Sequence, residues 1–188
     1  MSRAARGAPA CVRIAATRDL SALIHPYLAE LSHELNETVD LAVLEQDSVL
    51  FVDRVVAASR TLLVQSSVGA LLPAHTTAPG KALLAALPDE EVERLLPPKL
   101  ERLTPQTITS RAKLLDNLEQ VRTTGVAYAL GEHTPGIHAV AVAVGGADRP
   151  VAAISVPMPT ERFDASERTI VAAIRRTQKS VNALFGGE

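Results

Sequence analysis

The sequence predicts one α+β domain, with a central, mostly antiparallel sheet of about six strands flanked by helices. Two observations carry this. Apolar residues switch between helical spacing and strict alternation, in the order helix, three strands, three helices, three strands, helix. The 188 residues are 47% hydrophobic and 21% charged, so one core can form without disulfides or a structural metal. Aromatics are only 3% and Trp is missing, so Ala, Val, Leu and Ile build that core. Side chains that small either pack closely or leave room for something else.

Residues 1–18 are rich in Ala, Arg and Gly and read as a tail or linker stub. Leu20, Leu23, Ile24, Tyr27, Leu28, Leu31 and Leu35 then fall on one helical stripe. Pro26 interrupts it, so the helix is expected to begin near Pro26 after a separate turn. Beyond Asn36, Val39, Leu41 and Val43 alternate with Asp40, Ala42 and Leu44, a strand. Gln46, Asp47 and Ser48 form a turn into a second strand over 49–56, and a third is expected over 61–65. Residues 66–73 read as a loop. A helix opens at Ala78, with Pro79 tolerated in its first turn, and runs to Leu87. A short helix follows Pro88, and another carries Leu114, Leu115, Leu118 and Val121 to a stop at Gly125. Strands are expected over 126–131, 137–144 and 151–156, the last two joined by a turn at Gly145 and Gly146. A final helix is expected from Ser166, with Ile170, Ile174, Val181 and Leu184 on one stripe.

Several chemistries are disfavoured. A net charge of -2 gives no global reason to seek nucleic acid. The single cysteine, Cys11, rules out an intrachain disulfide and fits a reducing compartment. No apolar run reaches membrane-span length and no secretory pattern opens the chain, so a cytoplasmic location is expected. Gly80-Lys81 lacks the rest of a phosphate loop, since His75 and Ala82 stand where glycine and Ser or Thr are needed. His75, His133 and His138 could meet in space, but their spacing supports no metal site. No catalytic residue, metal or cofactor is assigned.

The segment from His75 through Thr76, Thr77, Ala78, Pro79, Gly80, Lys81, Ala82, Leu83 and Leu84 to Ala85 resembles the signature of the IclR family of bacterial transcriptional regulators. Other stretches match in the same order: Glu37 to Val43, Val52 to Val55, Ser67 to Gly69, Leu103 to Ile108, Val121 to Gly125, Gly131-Glu132 and Ala152 to Val156. Any one such motif is weak, but together in register they make a strong signal. The resemblance implies a profilin- or GAF-like effector-binding domain over 19–188. The family's winged helix-turn-helix is expected to be absent from this chain, because eighteen residues cannot supply its three helices and hairpin. DNA would then be contacted only through that missing domain.

The resemblance also implies a ligand site. Backbone N–H groups at the start of the signature helix, here Ala78, Pro79 and Gly80, would hold one end of the ligand. An aspartate, a cysteine and two serines of relatives that sense small carboxylates map to Ala129, Ala139, Ser155 and Pro157. Pro79 has no N–H, and Ala129, Ala139 and Pro157 offer no side-chain hydrogen bond. A buried carboxylate would lack partners there. Ala139 shares its strand face with Ile137, Ala141 and Ala143, which leaves volume in front of the sheet. The expected effector is therefore larger and more apolar than a short keto acid, and aromatic ligands fit. Alternatively, helices pack closer and fill the space. Two other readings stand beside it: an enzyme using Glu132, His133 and Ser155, and a module for assembly alone. The stripes at 20–35 and 170–184 are candidate surfaces for a homodimer or homotetramer.

Overall fold

Ile24, Leu28 and Leu31 are fully buried along one side of the first helix, α1 (Ala10–Leu35). In the computed structural model, which describes residues 10–57, 67–146 and 150–186 (backbone alone for 10–16), α1 runs unbroken through Pro26. The expected restart at Pro26 does not occur. Pro26 sits on the exposed side, where water can satisfy the carbonyl it leaves unpaired. Asn36 ends the helix in the left-handed conformation. The side chain of Cys11 lies outside the described residues.

Strands β1 (Val39–Glu45) and β2 (Ser48–Val55) form a hairpin around Gln46 and Asp47. The third strand, β3, is Leu71–Pro73, inside the stretch read as a loop. Three residues are too few for alternation to show. The strand expected over 61–65 lies outside the described residues. A 3₁₀ turn (Ala74–Thr76) leads into α2 (Ala78–Ala85), and α3 (Asp89–Leu95) and α4 (Arg111–Thr124) follow. Gly125 closes α4 with φ 71°. Then come β4 (Ala127–Leu130), β5 (Ile137–Gly145), β6 (Pro150–Pro159) and α5 (Thr160–Ala183). The strand β6 runs longer, and α5 starts earlier, than alternation suggested. Pro157 is tolerated because β1 pairs with β6 only over Ala153, Ile154 and Ser155, leaving that edge open.

The six strands are all antiparallel, in the order β3-β2-β1-β6-β5-β4. The two faces carry different side chains. Val39, Leu41, Val140, Val142, Val144, Ile154 and Val156 point to α1 and α5. Ala42, Ala127, Ala141 and Ala153 point to α2, with α3 and α4 outside it. The small face lets α2 come close. α2 also lies against the turn before it at Gly80, where a Cβ would collide with the backbone carbonyl of Ala74.

Buried charge ties the layers. Lys81 is 1% exposed, and its Nζ donates to Glu132 Oε1 at 2.6 Å, joining α2 to the loop after β4. Burial pushes the Lys81 amine below its ordinary pKa, and the Glu132 carboxylate opposes that shift. Arg122 on α4 donates to the carbonyls of Ala85 (2.8 Å) and Leu87 (3.1 Å) and to Asp89 Oδ1 (2.6 Å). It therefore caps the end of α2 and anchors the start of α3. Arg162 at the start of α5 grips Glu37 with two hydrogen bonds of 2.8 and 2.9 Å.

Two stability outcomes follow from this packing, both measurable by urea unfolding. Gly80→Ala should lower the unfolding free energy by about 2 kcal/mol, since backbone must move to admit the methyl. Glu132→Gln should cost about 3 kcal/mol by leaving the Lys81 charge buried without its counter-ion, and adding Lys81→Met should recover most of that loss. A double variant as unstable as the single one would show that the pair's geometry, not its uncompensated charge, matters.

Candidate functional site

The first turn of α2 is set by Thr77. Its extended backbone makes it the N-cap, and its Oγ1 accepts the Gly80 N–H at 3.1 Å. The Lys81 N–H donates to the Thr77 carbonyl, and Pro79 has none to give. Ala78 keeps the one first-turn N–H without a partner among the described residues. Thr76 Oγ1 donates to the Pro73 carbonyl at 2.8 Å and fixes the turn before the helix.

Under this helix start lies a cavity of about 60 Å³. At roughly 10–15 Å³ per water, it holds about five waters or a small molecule of similar bulk. Its floor is the small face of the sheet: Asp40, Phe51, Ala129, Ile137, Ala139, Ser155 and Pro157. Its roof is Leu72, Thr76, Thr77, Ala78 and Pro79, and His133 and Thr134 close one side. Register explains the floor. Ala129 pairs with Ala139, which pairs with Pro157, so three strands bring three small or ring-shaped side chains together. Asp40 pairs with Ser155 in the neighbouring row.

Six of the seven positions named from the sequence line this one cavity: Ala78, Pro79, Ala129, Ala139, Ser155 and Pro157. Gly80 does not. It lies behind the wall, with its N–H given to Thr77 and its missing Cβ needed for the approach of the preceding turn. Elsewhere on the same face α2 packs directly on Ala127, Ala141 and Ala153, so there the space is filled by the helix.

Sequence reasoning missed the polar wall. Asp40 is 1% exposed, and its two carboxylate oxygens accept from Arg54 Nε (2.6 Å) and Nη2 (3.0 Å). Burial pushes the Asp40 carboxyl above its ordinary range, and Arg54 pulls the other way. A charged residue on a strand buried on both faces was the available signal. Ser155 is buried, and its hydroxyl has no partner among the described residues. His133 Nδ1 and Thr134 Oγ1 lie 2.9 Å apart, and burial pushes the imidazole below its ordinary pKa, hence neutral at pH 7.

The other polar candidates are placed apart. Glu132 turns from the cavity to Lys81. His75 Nε2 is 3.0 Å from the carbonyl oxygen of Glu101. His138 lies on the opposite face of the sheet, edge-on to Phe163 with ring centres 5.4 Å apart. No group of three or more His, Cys, Asp or Glu stands together among the described residues. No described helix is long and apolar enough to cross a membrane.

A family model described as "Bacterial transcriptional regulator IclR C-terminal" matches residues 12–183. An HTH-type transcriptional regulator of Mycobacterium tuberculosis is 44% identical over 99% of this chain and 74% of its own length. Further relatives, of which the chain spans 64–65%, are named as regulators or repressors. The crystal structure of the Thermotoga maritima IclR matches with a TM-score of 0.83 at 25% identity, covering 89% of this chain and 68% of that one. The inducer-binding domain of the PobR transcription factor from Acinetobacter, a double mutant in complex with 3-hydroxybenzoic acid, matches with a TM-score of 0.75 at 29% identity. That match covers 84% of this chain and 94% of the Acinetobacter domain. These relatives are regulators, so the enzyme alternative falls away. The chain belongs to the IclR family, as the C-terminal regulatory domain of a bacterial transcriptional regulator.

Proposed function

We propose that the cavity beneath the start of α2 is the effector site of this regulator. Occupancy would bias DNA binding by a winged helix-turn-helix outside residues 19–188, in the cytoplasm and within a homodimer or homotetramer. One observation carries the reading: positions from a helix start and three separate strands converge on one cavity with few polar groups. The hydroxybenzoic acid complex of the Acinetobacter domain supports a ligand of aromatic size. Here the effector is larger and more apolar than a short keto acid. Ala129, Ala139 and Pro157 offer a carboxylate no donor, Pro79 has no N–H and the Gly80 N–H is already taken, which leaves only the Ala78 N–H and the Ser155 hydroxyl, beside the buried acid Asp40, among the positions carried over from the family. The cavity seats one end of such a ligand and the rest reaches its open side. α1 begins at Ala10, within the stretch read as a linker stub, and is the route by which the signal would leave.

A thermal-shift series tests this directly. Toluene at a hundredfold excess over its Kd should stabilise the chain by about 2.7 kcal/mol, a rise in Tm of several degrees. Pyruvate and glyoxylate should give none. Ala139→Leu, which fills the floor, should abolish the toluene shift in a protein that still unfolds cooperatively. Stabilisation by the keto acids without any by toluene would overturn the reading.

A further inference from the structure

Among the described residues, the one acid or strong base lining the cavity is an acid, Asp40. Asp40 stands on β1 with Arg54 opposite it on β2 and Ser155 opposite it on β6. Residues paired across strands share a face, so the three side chains form a row, of which Asp40 and Ser155 line the cavity. The Arg54 fork takes one lone pair on each Asp40 oxygen. A carboxylate has about four such sites, so two remain. Beside it the Ser155 hydroxyl has no partner among the described residues, and the neutral His133 ring contributes an acceptor nitrogen or an N–H according to its tautomer. The floor is thus rich in acceptors.

We propose that Asp40 is the specificity residue of this cavity, selecting a neutral ligand that donates a hydrogen bond from a hydroxyl group. The inference rests on the effector-site reading above and adds the polar group that the ligand must carry. An anionic ligand would meet a buried carboxylate at short range, a strong penalty where water is excluded. A purely apolar one would cover the free lone pairs of Asp40 and Ser155 and leave them unsatisfied. A hydroxyl satisfies Asp40 as a donor and can accept from Ser155. A cation would have to compete with Arg54 for the same two oxygens and give up its hydration to do so.

Phenol, toluene and benzoate separate these cases, because they share a ring and differ in one substituent. Their affinities for the whole chain are measured by isothermal titration calorimetry. A hydrogen bond to a charged acceptor is worth about 1.5–3 kcal/mol, which makes phenol at least about tenfold tighter than toluene. Benzoate should be weaker still. Asp40→Asn keeps the shape and an accepting oxygen and removes the charge. It should hold phenol within a few-fold while improving benzoate at least about tenfold. Asp40→Ala should erase the preference for phenol over toluene. Equal binding of phenol and toluene by the unaltered chain would leave the cavity an effector site and overturn the role of Asp40. Benzoate tighter than phenol would overturn it as well. Binding of none of the three would overturn the effector-site reading and this inference with it. The ranking in the unaltered chain decides the matter even if the variants fold poorly.

Discussion

How closely α2 can approach the sheet governs one whole side of this molecule. The sheet offers it Ala42, Ala127, Ala141 and Ala153, and the helix answers with Ala78, Ala82 and Ala85. Small against small brings backbones together and fills the interface without large side chains. The contact does not extend evenly. Near the N-terminus of α2 the roof is a turn and a proline, and there the floor of Ala129, Ala139 and Pro157 is left partly uncovered. The cavity is what remains of a helix–sheet interface once its first turn is given over to Thr77 and Pro79. The same small residues close one part of the interface and open the other. What decides between the two is whether a helical side chain stands above them.

The buried charged side chains on this side are each given a partner from another element. Lys81 on α2 has Glu132 from the loop after β4, Arg122 on α4 has the helix-end carbonyls of Ala85 and Leu87, and Asp40 on β1 has Arg54 on β2. None is a cheap interaction, because each ion gives up its hydration and recovers it only if the geometry holds. They act more as locators than as glue. Moving α2 relative to the sheet would break the Lys81 pair and the Arg122 cap together, so the helix start that roofs the cavity is held from both ends.

Much of this was legible in the sequence, and the failures have physical causes. Alternation from Ile137 to Val144 predicted which residues of β5 face which layer, because a strand with one branched and one small face has a period that nothing else produces. The helix through Pro26 was misjudged because proline's cost depends on whether its side of the helix is wet, and sequence does not show that for one residue. The edge strand β3 was missed because its pairing with β2 depends on a partner rather than on its own pattern. The candidate site divides in the same way. Ala129, Ala139, Ser155 and Pro157 were reached by matching motifs, which carries positions forward regardless of side chain. Asp40 lies within the matched stretch Glu37 to Val43, but the ligand set carried over with the match does not include it. Its significance appears only when β1 is placed beside β6 and the acid is found in the cavity wall.

Placement of β1 and β2 also bears on how the two faces of the sheet communicate. Asp40 points to the cavity, and its neighbours Val39 and Leu41 point into the layer that holds Ile24, Leu28 and Leu31 of α1. On β2 the alternation is used again. Arg54 grips Asp40 on the cavity side. The residue before it, Asp53, accepts from Ser21 Oγ at 3.0 Å and lies 2.9 Å from His25 Nδ1, both on α1. One peptide bond therefore separates the group that holds the cavity floor from the group that holds the long helix. A strand in a packed sheet does not bend independently at adjacent residues, since its ladder and both side-chain layers constrain it. A ligand that displaces Asp40 must then either break its fork with Arg54 or carry β2 along, and in the second case the hydrogen bonds of Asp53 to α1 move too. Conversely, where the two are coupled, whatever binds α1 changes the affinity of the cavity by the same factor as the cavity's ligand changes its own.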